Sequence, residues 1–191
     1  MIVVFGGAFN PPTIAHEAIY HHVVKHLPCT KFIYLPVSNL YTKRSLASNF
    51  HRLEMLKLMT KNLPNAVVST MEFDDSDYLG TYQSLIRFQD SYPNEEIVFV
   101  IGADNLAKLH KWINAESLLS DFRFVLINRN HTDIEKAIMD NPALAKHRDN
   151  FIILPDFDIE ISSTSFRENF DQSLVTNEVY HYILIHQLYR S

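Results

Sequence analysis

Two stretches of this chain gather residue types that handle phosphate. The first is Gly6-Gly7-Ala8-Phe9-Asn10-Pro11-Pro12-Thr13-Ile14-Ala15-His16, directly after the apolar run Ile2 to Phe5. Glycines let backbone N–H groups close on an anion, and a helix starting near Ile14 points its N-terminal dipole at the same place. Thr13 is placed to cap that helix, and His16, three residues on, shares its face. A hydroxyl and an imidazole therefore meet above a helix N-terminus. The spacing matches neither the G-x-G-x-x-G of a dinucleotide fold nor the Gly-Lys-Ser/Thr of a P-loop. The second stretch is Ile161-Ser162-Ser163-Thr164-Ser165-Phe166-Arg167. Hydroxyls at a helix start, with an arginine one turn in, make a phosphate cradle in which the guanidinium forks onto oxygens. The same residues also read as a serine-rich helix cap with a surface arginine.

The elements that must position these residues alternate in type. Ile2 to Phe5, Phe32 to Leu35, Val67 to Thr70, Ile97 to Ile101, Phe122 to Ile127 and Phe151 to Leu154 read as short buried strands. Helical spacing recurs over Ile14 to Leu27, Asn49 to Leu63, Thr81 to Tyr92, Asp104 to Leu109 and Asp133 to His147, where Pro142 marks a break. Two terminal helices follow, near Ser165 to Phe170 and Asn177 to Tyr189. This order implies an α/β fold, a doubly wound parallel sheet with helices on both faces, and ligands beyond the carboxyl ends of the strands. Residues 1–191 read as one domain, without repeat or linker. Asn39 to Asn49 and Asp74 to Gly80 read as mobile loops. Only four glycines occur, where average usage of roughly 7% gives about 13. Gly6, Gly7 and Gly102 each follow a strand candidate, where the backbone needs a positive φ or close approach to a ligand.

Composition narrows the class. Seventeen Lys and Arg stand against 22 Asp and Glu, a net charge of −5, which excludes a generally basic nucleic-acid binder but not a local phosphate pocket. The lone Cys29 allows no internal disulfide, and no apolar run approaches the roughly 18 residues of a membrane helix. With no signal-peptide pattern at the start, a cytoplasmic protein is expected. The ten histidines do not read as a zinc site: His16-Glu17 is followed by His21, one residue too far for HExxH, and His22 and His26, at i, i+4, lack a nearby convergent carboxylate. Asp74-Asp75-Ser76-Asp77 reads as a solvated loop.

Taken together, the two terminal stretches resemble the paired signatures of nucleotidyltransferases, the (H/T)xGH motif and the Ile-Ser-Ser-Thr-x-x-Arg motif. The middle resembles one branch, the nicotinate-nucleotide adenylyltransferases, through His51-Arg52-Leu53-Glu54-Met55-Leu56, Thr81-Tyr82-Gln83-Ser84-Leu85, Val100-Ile101-Gly102-Ala103-Asp104-Asn105-Leu106, Lys111-Trp112 and Asn128-Arg129. The resemblance implies a Rossmann-like sheet of order 3-2-1-4-5 and transfer of AMP from ATP, with Mg²⁺, to nicotinate mononucleotide. It implies that Thr13 and His16 contact the ATP phosphates, His16 stabilising charge as pyrophosphate departs. Ser162, Ser163 and Arg167 hold the triphosphate, and Gly6, Gly7, Phe9, Gly102 and Asp104 line the rest of the ATP site. For the mononucleotide it implies Asn10, Lys43 and Arg129, with Trp112 stacked on the pyridine and Thr81 and Tyr82 offering N–H groups to its carboxylate. Ala15 stands where the signature has Gly, Ser38 to Lys43 where the branch has Pro-Pro-His-Lys, and Leu79-Gly80-Thr81 where it has Ser-Tyr-Thr. Alternative readings are the same chemistry on nicotinamide mononucleotide or phosphopantetheine, and a nucleotide sensor of this fold without turnover. Small-molecule substrates, no nucleic acid and no membrane are expected, with a homo-oligomer left open.

Overall fold

A computed structural model describes residues 1–40, 46–128, 132–159 and 161–190. Six strands form one parallel sheet: β1 (Ile2–Gly7), β2 (Lys31–Pro36), β3 (Ala66–Val68), β4 (Ile97–Gly102), β5 (Arg123–Asn128) and β6 (Phe151–Asp158). Their order is β3-β2-β1-β4-β5-β6, the expected order extended by β6 at one edge. β1 therefore lies between β2 and β4, with Gly7 opposite Pro36 on one side and Phe5 opposite Val100 on the other. The chain reverses its winding here, so the carboxyl ends of β1 and β4 diverge and leave a crevice.

Strands buried on both faces read as unbroken apolar runs, and their side chains sort by a period of two. Ile2 and Val4 of β1 point to one layer, and Val3 and Phe5 to the other. The first layer is covered by α3 (Thr81–Ser91), α4 (Leu106–Leu109), α5 (Ala115–Asp121), α6 (Ile134–Met139) and α7 (Pro142–Ala145). The second is covered by α1 (Ile14–His26), α2 (Asn49–Thr60), α8 (Ser163–Asn169) and α9 (Asn177–Ile185). Pro142 opens α7, where its missing N–H costs nothing, and Asn141 caps the turn through Ala143 N–H.

Some local expectations change. Helix α5 was not expected: its start is Asn114 in the left-handed region, without a side-chain cap, and only Leu118 and Leu119 are buried. Packing against α3 forms it, rather than periodicity. The glycines that end β1 and β4 do not take a positive φ. Gly102 has φ −71°, and among the described glycines the positive value belongs to Gly80, at 89°. Gly6 and Gly7 serve close packing instead. A Cβ on Gly6 would lie 2.9 Å from Phe99 Cζ, and one on Gly7 would lie 3.2 Å from Phe9 Cζ.

Candidate active site

The crevice beyond β1 and β4 is a cleft of about 960 Å³, within the range of nucleotide-sized sites. It collects Gly6, Gly7, Phe9, Asn10, His16, Gly102, Asp104, Trp112, Thr81, Ser162, Ser163 and Arg167, twelve of the residues singled out from sequence. Thr13 is fully buried just behind them. Lys43 and Arg129 lie outside the described residues.

His16 is the most constrained of these. It is the third residue of α1, and its Nδ1 accepts the backbone N–H of Thr13 at 2.8 Å, with Thr13 Oγ1 2.9 Å away. This is the reach-back half of a capping box, made by a histidine where Glu or Gln is usual. An amide N–H can only donate, so Nδ1 is the acceptor and the proton of the neutral ring sits on Nε2. The ring is held edge-on by Phe9, centroids 4.9 Å apart, and flanked by Phe5 at 5.8 Å. Phe9 itself is 1% exposed, so what it can offer a nucleotide is backbone, while its ring sets the imidazole. The left-handed φ of 46° at Phe9 turns the chain so that this happens.

The second stretch packs onto the first across more than 150 residues of sequence. Arg167 donates through Nη1 to Asn10 O at 2.6 Å and through Nη2 to Thr164 Oγ1 at 3.1 Å. Ser163 Oγ donates to Pro11 O at 2.7 Å. Ser162 caps α8 by accepting Ser165 N–H at 3.1 Å. The capped helix start is therefore present, and the Ser162 and Ser163 hydroxyls and the Arg167 guanidinium lie along the cleft. Asn10 is 2% exposed, its Oδ1 taking the Tyr189 hydroxyl at 2.8 Å and Ala47 N–H at 3.0 Å.

On the opposite side, α3 begins at Thr81 with Gly80 as its cap residue, which has no side chain to occupy the first N–H groups. Thr81 is buried in the cleft wall. Tyr82 is not among the cleft-lining residues: its hydroxyl donates to Asp121 Oδ2 at 2.9 Å and its ring packs on Phe122. The half-buried Trp112 forms the wall beside Phe99, ring centroids 6.3 Å apart. Asp104 is exposed at the rim, just past β4. In the segment after β3, Asp75 pairs with both Arg87 Nη atoms at 3.0 and 2.9 Å.

Sequence reasoning missed Glu72, Tyr78, Asn105 and Lys108 among the lining residues. A lone Glu after a short strand and an exposed lysine on the short helix α4 carry no spacing signal. It also left unstated the role of Arg52, which is fully buried on α2. Arg52 donates to Ala8 O at 2.9 Å, Val37 O at 2.7 Å and Ala47 O at 3.1 Å, and to Asn39 Oδ1 and Asn49 Oδ1 at 2.6 and 2.7 Å. It knits together the turn after β1, the turn after β2 and the start of α2. Burial lowers its pKa to about 10, which leaves it charged at neutral pH.

The comparisons with known proteins agree with this architecture. A cytidylyltransferase-like family model matches residues 4–169. A probable nicotinate-nucleotide adenylyltransferase of Acholeplasma laidlawii is 32% identical over 192 residues, covering 99% of this chain and 97% of that protein. The chain belongs to the nicotinate-nucleotide adenylyltransferase family. The nicotinate-nucleotide adenylyltransferase of Bacillus subtilis is 28% identical, over 100% of this chain and 98% of its own length. Among solved structures, Plasmodium falciparum nicotinic acid mononucleotide adenylyltransferase complexed with NaAD has the same fold. Its TM-score is 0.77 at 21% identity, over 98% of this chain and 96% of that one. Among the described residues no helix is long and apolar enough to cross a membrane, and no three His, Cys, Asp or Glu side chains gather as a metal site.

Proposed function

We propose that this chain, acting as one cytoplasmic domain over residues 1–191, transfers AMP from ATP to the phosphate of nicotinate mononucleotide. The products are nicotinate adenine dinucleotide and pyrophosphate, in NAD synthesis. The observation that carries this reading is His16, fixed by Thr13 so that its donor nitrogen is Nε2, between a rim bearing Arg167 and an opposite wall bearing Thr81 and Trp112.

In the reaction a phosphate oxygen of the mononucleotide attacks the α-phosphorus of ATP, and the bond to the oxygen bridging α and β breaks. Nothing in this step needs a protein nucleophile; positioning and stabilisation of charge carry it. His16 Nε2–H donates to phosphate oxygens as negative charge moves towards the departing pyrophosphate. The Ser162 and Ser163 hydroxyls and the Arg167 guanidinium hold the triphosphate, with Asp104 and Gly102 along the adenosine. Mg²⁺ bound to ATP would supply neutralisation of the crowded phosphate charge. Trp112 stacks on the pyridine, and the first N–H groups of α3 receive its carboxylate. Lys43, towards the phosphate, and Arg129 are assigned to the mononucleotide from the family resemblance.

Pyrophosphate release with Mg·ATP and three acceptors tests the reading. We expect turnover with nicotinate mononucleotide, and little or none with phosphopantetheine. No release with any acceptor would leave a nucleotide-binding protein without turnover. Arg167 gives a second check. Its planar fork already spans Asn10 O and Thr164 Oγ1, and a lysine offers a point charge instead. Arg167→Lys should raise the KM for ATP about tenfold, roughly 1.4 kcal/mol. Unchanged ATP kinetics would reduce the residue to a tie between α8 and the Asn10 turn.

A further inference from the structure

The wall of the cleft near α3 holds a carboxylate that the mechanism above does not use. Glu72, in the turn after β3, is 6% exposed and is one of the residues lining the cleft, as Tyr78 and Thr81 are. Its Oε1 accepts the Ser84 hydroxyl at 2.7 Å, while Oε2 is buried and has no hydrogen-bond partner. Ser84 lies three residues after Thr81, on the same buried face of α3. Glu72 therefore sits beside the helix turn whose free N–H groups are assigned to the acceptor's ring substituent. A buried oxygen left without a donor is costly, and such groups are rare unless a ligand completes them.

We propose that Glu72 is a specificity-determining residue of the acceptor pocket. Its Oε2 faces the ring substituent of the bound mononucleotide, pairs with a carboxamide N–H, and so weakens the preference for a ring carboxylate that the α3 N–H groups create. This inference rests on the adenylyltransfer reading. An ionised Glu72 repels a carboxylate placed at the same turn, and the low dielectric of the buried wall strengthens that repulsion. A protonated Glu72 instead donates to it. Burial raises the Glu72 pKa above the ordinary carboxylate range, and Asp75 pushes the same way; the Ser84 hydroxyl and Arg87 oppose it. Asp77 and Tyr78 are the other titratable groups bordering it. Protonation is gained as pH falls, so the acid-to-amide ratio of kcat/KM should rise as pH falls through the Glu72 titration.

The test compares kcat/KM for nicotinate and nicotinamide mononucleotides in the parent protein and in Glu72→Gln, each as a function of pH. Glutamine has the same shape, keeps an oxygen for Ser84, and turns an NH₂ donor towards the substituent. The variant should favour the acid at least about fivefold more than the parent does, its ratio should not change with pH, and its thermal midpoint should be unchanged. If both efficiencies fall in the same proportion, Glu72 only supports the turn and the inference is wrong. A cavity of about 10 Å³ beside it, bordered by Ser38 and Gly80, has room for about one water. A water satisfying Oε2 there would leave the ratio unmoved, which also overturns the inference. A parent protein inactive with both acceptors defeats the adenylyltransfer reading, and this inference with it. An active parent with an unmoved ratio defeats this inference alone.

Discussion

His16→Gln is expected to lower kcat by about 10²–10³ while leaving stability close to that of the parent, the loss seen when one preorganised donor to a transition-state oxyanion is removed. Glutamine separates the helix cap that His16 makes from the donor role proposed for it. At the third position of α1 a Gln carbonyl reaches back to the Thr13 N–H in the ordinary capping-box manner, so the helix start survives. What is lost is an imidazole N–H fixed by Phe9 and Phe5. His16→Ala removes both, and should add about 1 kcal/mol of destabilisation through the lost cap. Steady-state kinetics with urea unfolding of both variants check this. A glutamine variant with near-normal kcat would mean that His16 is a helix cap and nothing more.

The largest expected effect on stability belongs to Arg52. Arg52→Leu fills a similar volume but leaves the carbonyls of Ala8, Val37 and Ala47 without their donor. Each unsatisfied buried acceptor costs about 1–3 kcal/mol, and losses of about 3–5 kcal/mol are typical when a buried charged partner is removed from its network. A fall of this size in unfolding free energy is expected, together with a raised KM for both substrates, because the turns after β1 and β2 border the cleft. Arg52→Lys should recover only part of the loss, since one ammonium cannot span five acceptors. A change below about 1 kcal/mol in Arg52→Leu would mean that the turns hold themselves.

The contrast between His16 and Arg52 also shows what the sequence reveals. His16 announces itself because its partners are local: an apolar strand, two glycines, a threonine and a histidine three residues on all fall within one supersecondary unit. The six strands are legible for a related reason, as burial on both faces leaves apolar runs that alternate with helical periods. Arg52 and Glu72 depend on partners brought together from different elements, and nothing in the spacing around either residue says that it will be buried. Helix α5 is similar, since its two buried leucines are too few to show a period and its neighbours supply the stability. The role of Gly6 also comes from a neighbouring strand. The residue opposing it is the ring of Phe99, more than 90 positions away, and not a turn that requires a positive φ. The acidic run Asp74 to Asp77 reads as solvated, yet Asp75 is spent on Arg87 of α3.

The central claim is AMP transfer to a mononucleotide bearing a ring carboxylate, and side-by-side kcat/KM values for nicotinate and nicotinamide mononucleotides test it most directly. Thr81 and Tyr82 open α3 behind a bare Gly80 cap, and on the proposed reading their N–H groups meet a carboxylate with the helix dipole behind them. An amide would turn its own donors towards them, a mismatch that costs binding. The nicotinate substrate should be preferred by at least about tenfold, roughly 1.4 kcal/mol. An equal or reversed preference would contradict the account and show that Leu79-Gly80-Thr81 shapes a pocket for the amide.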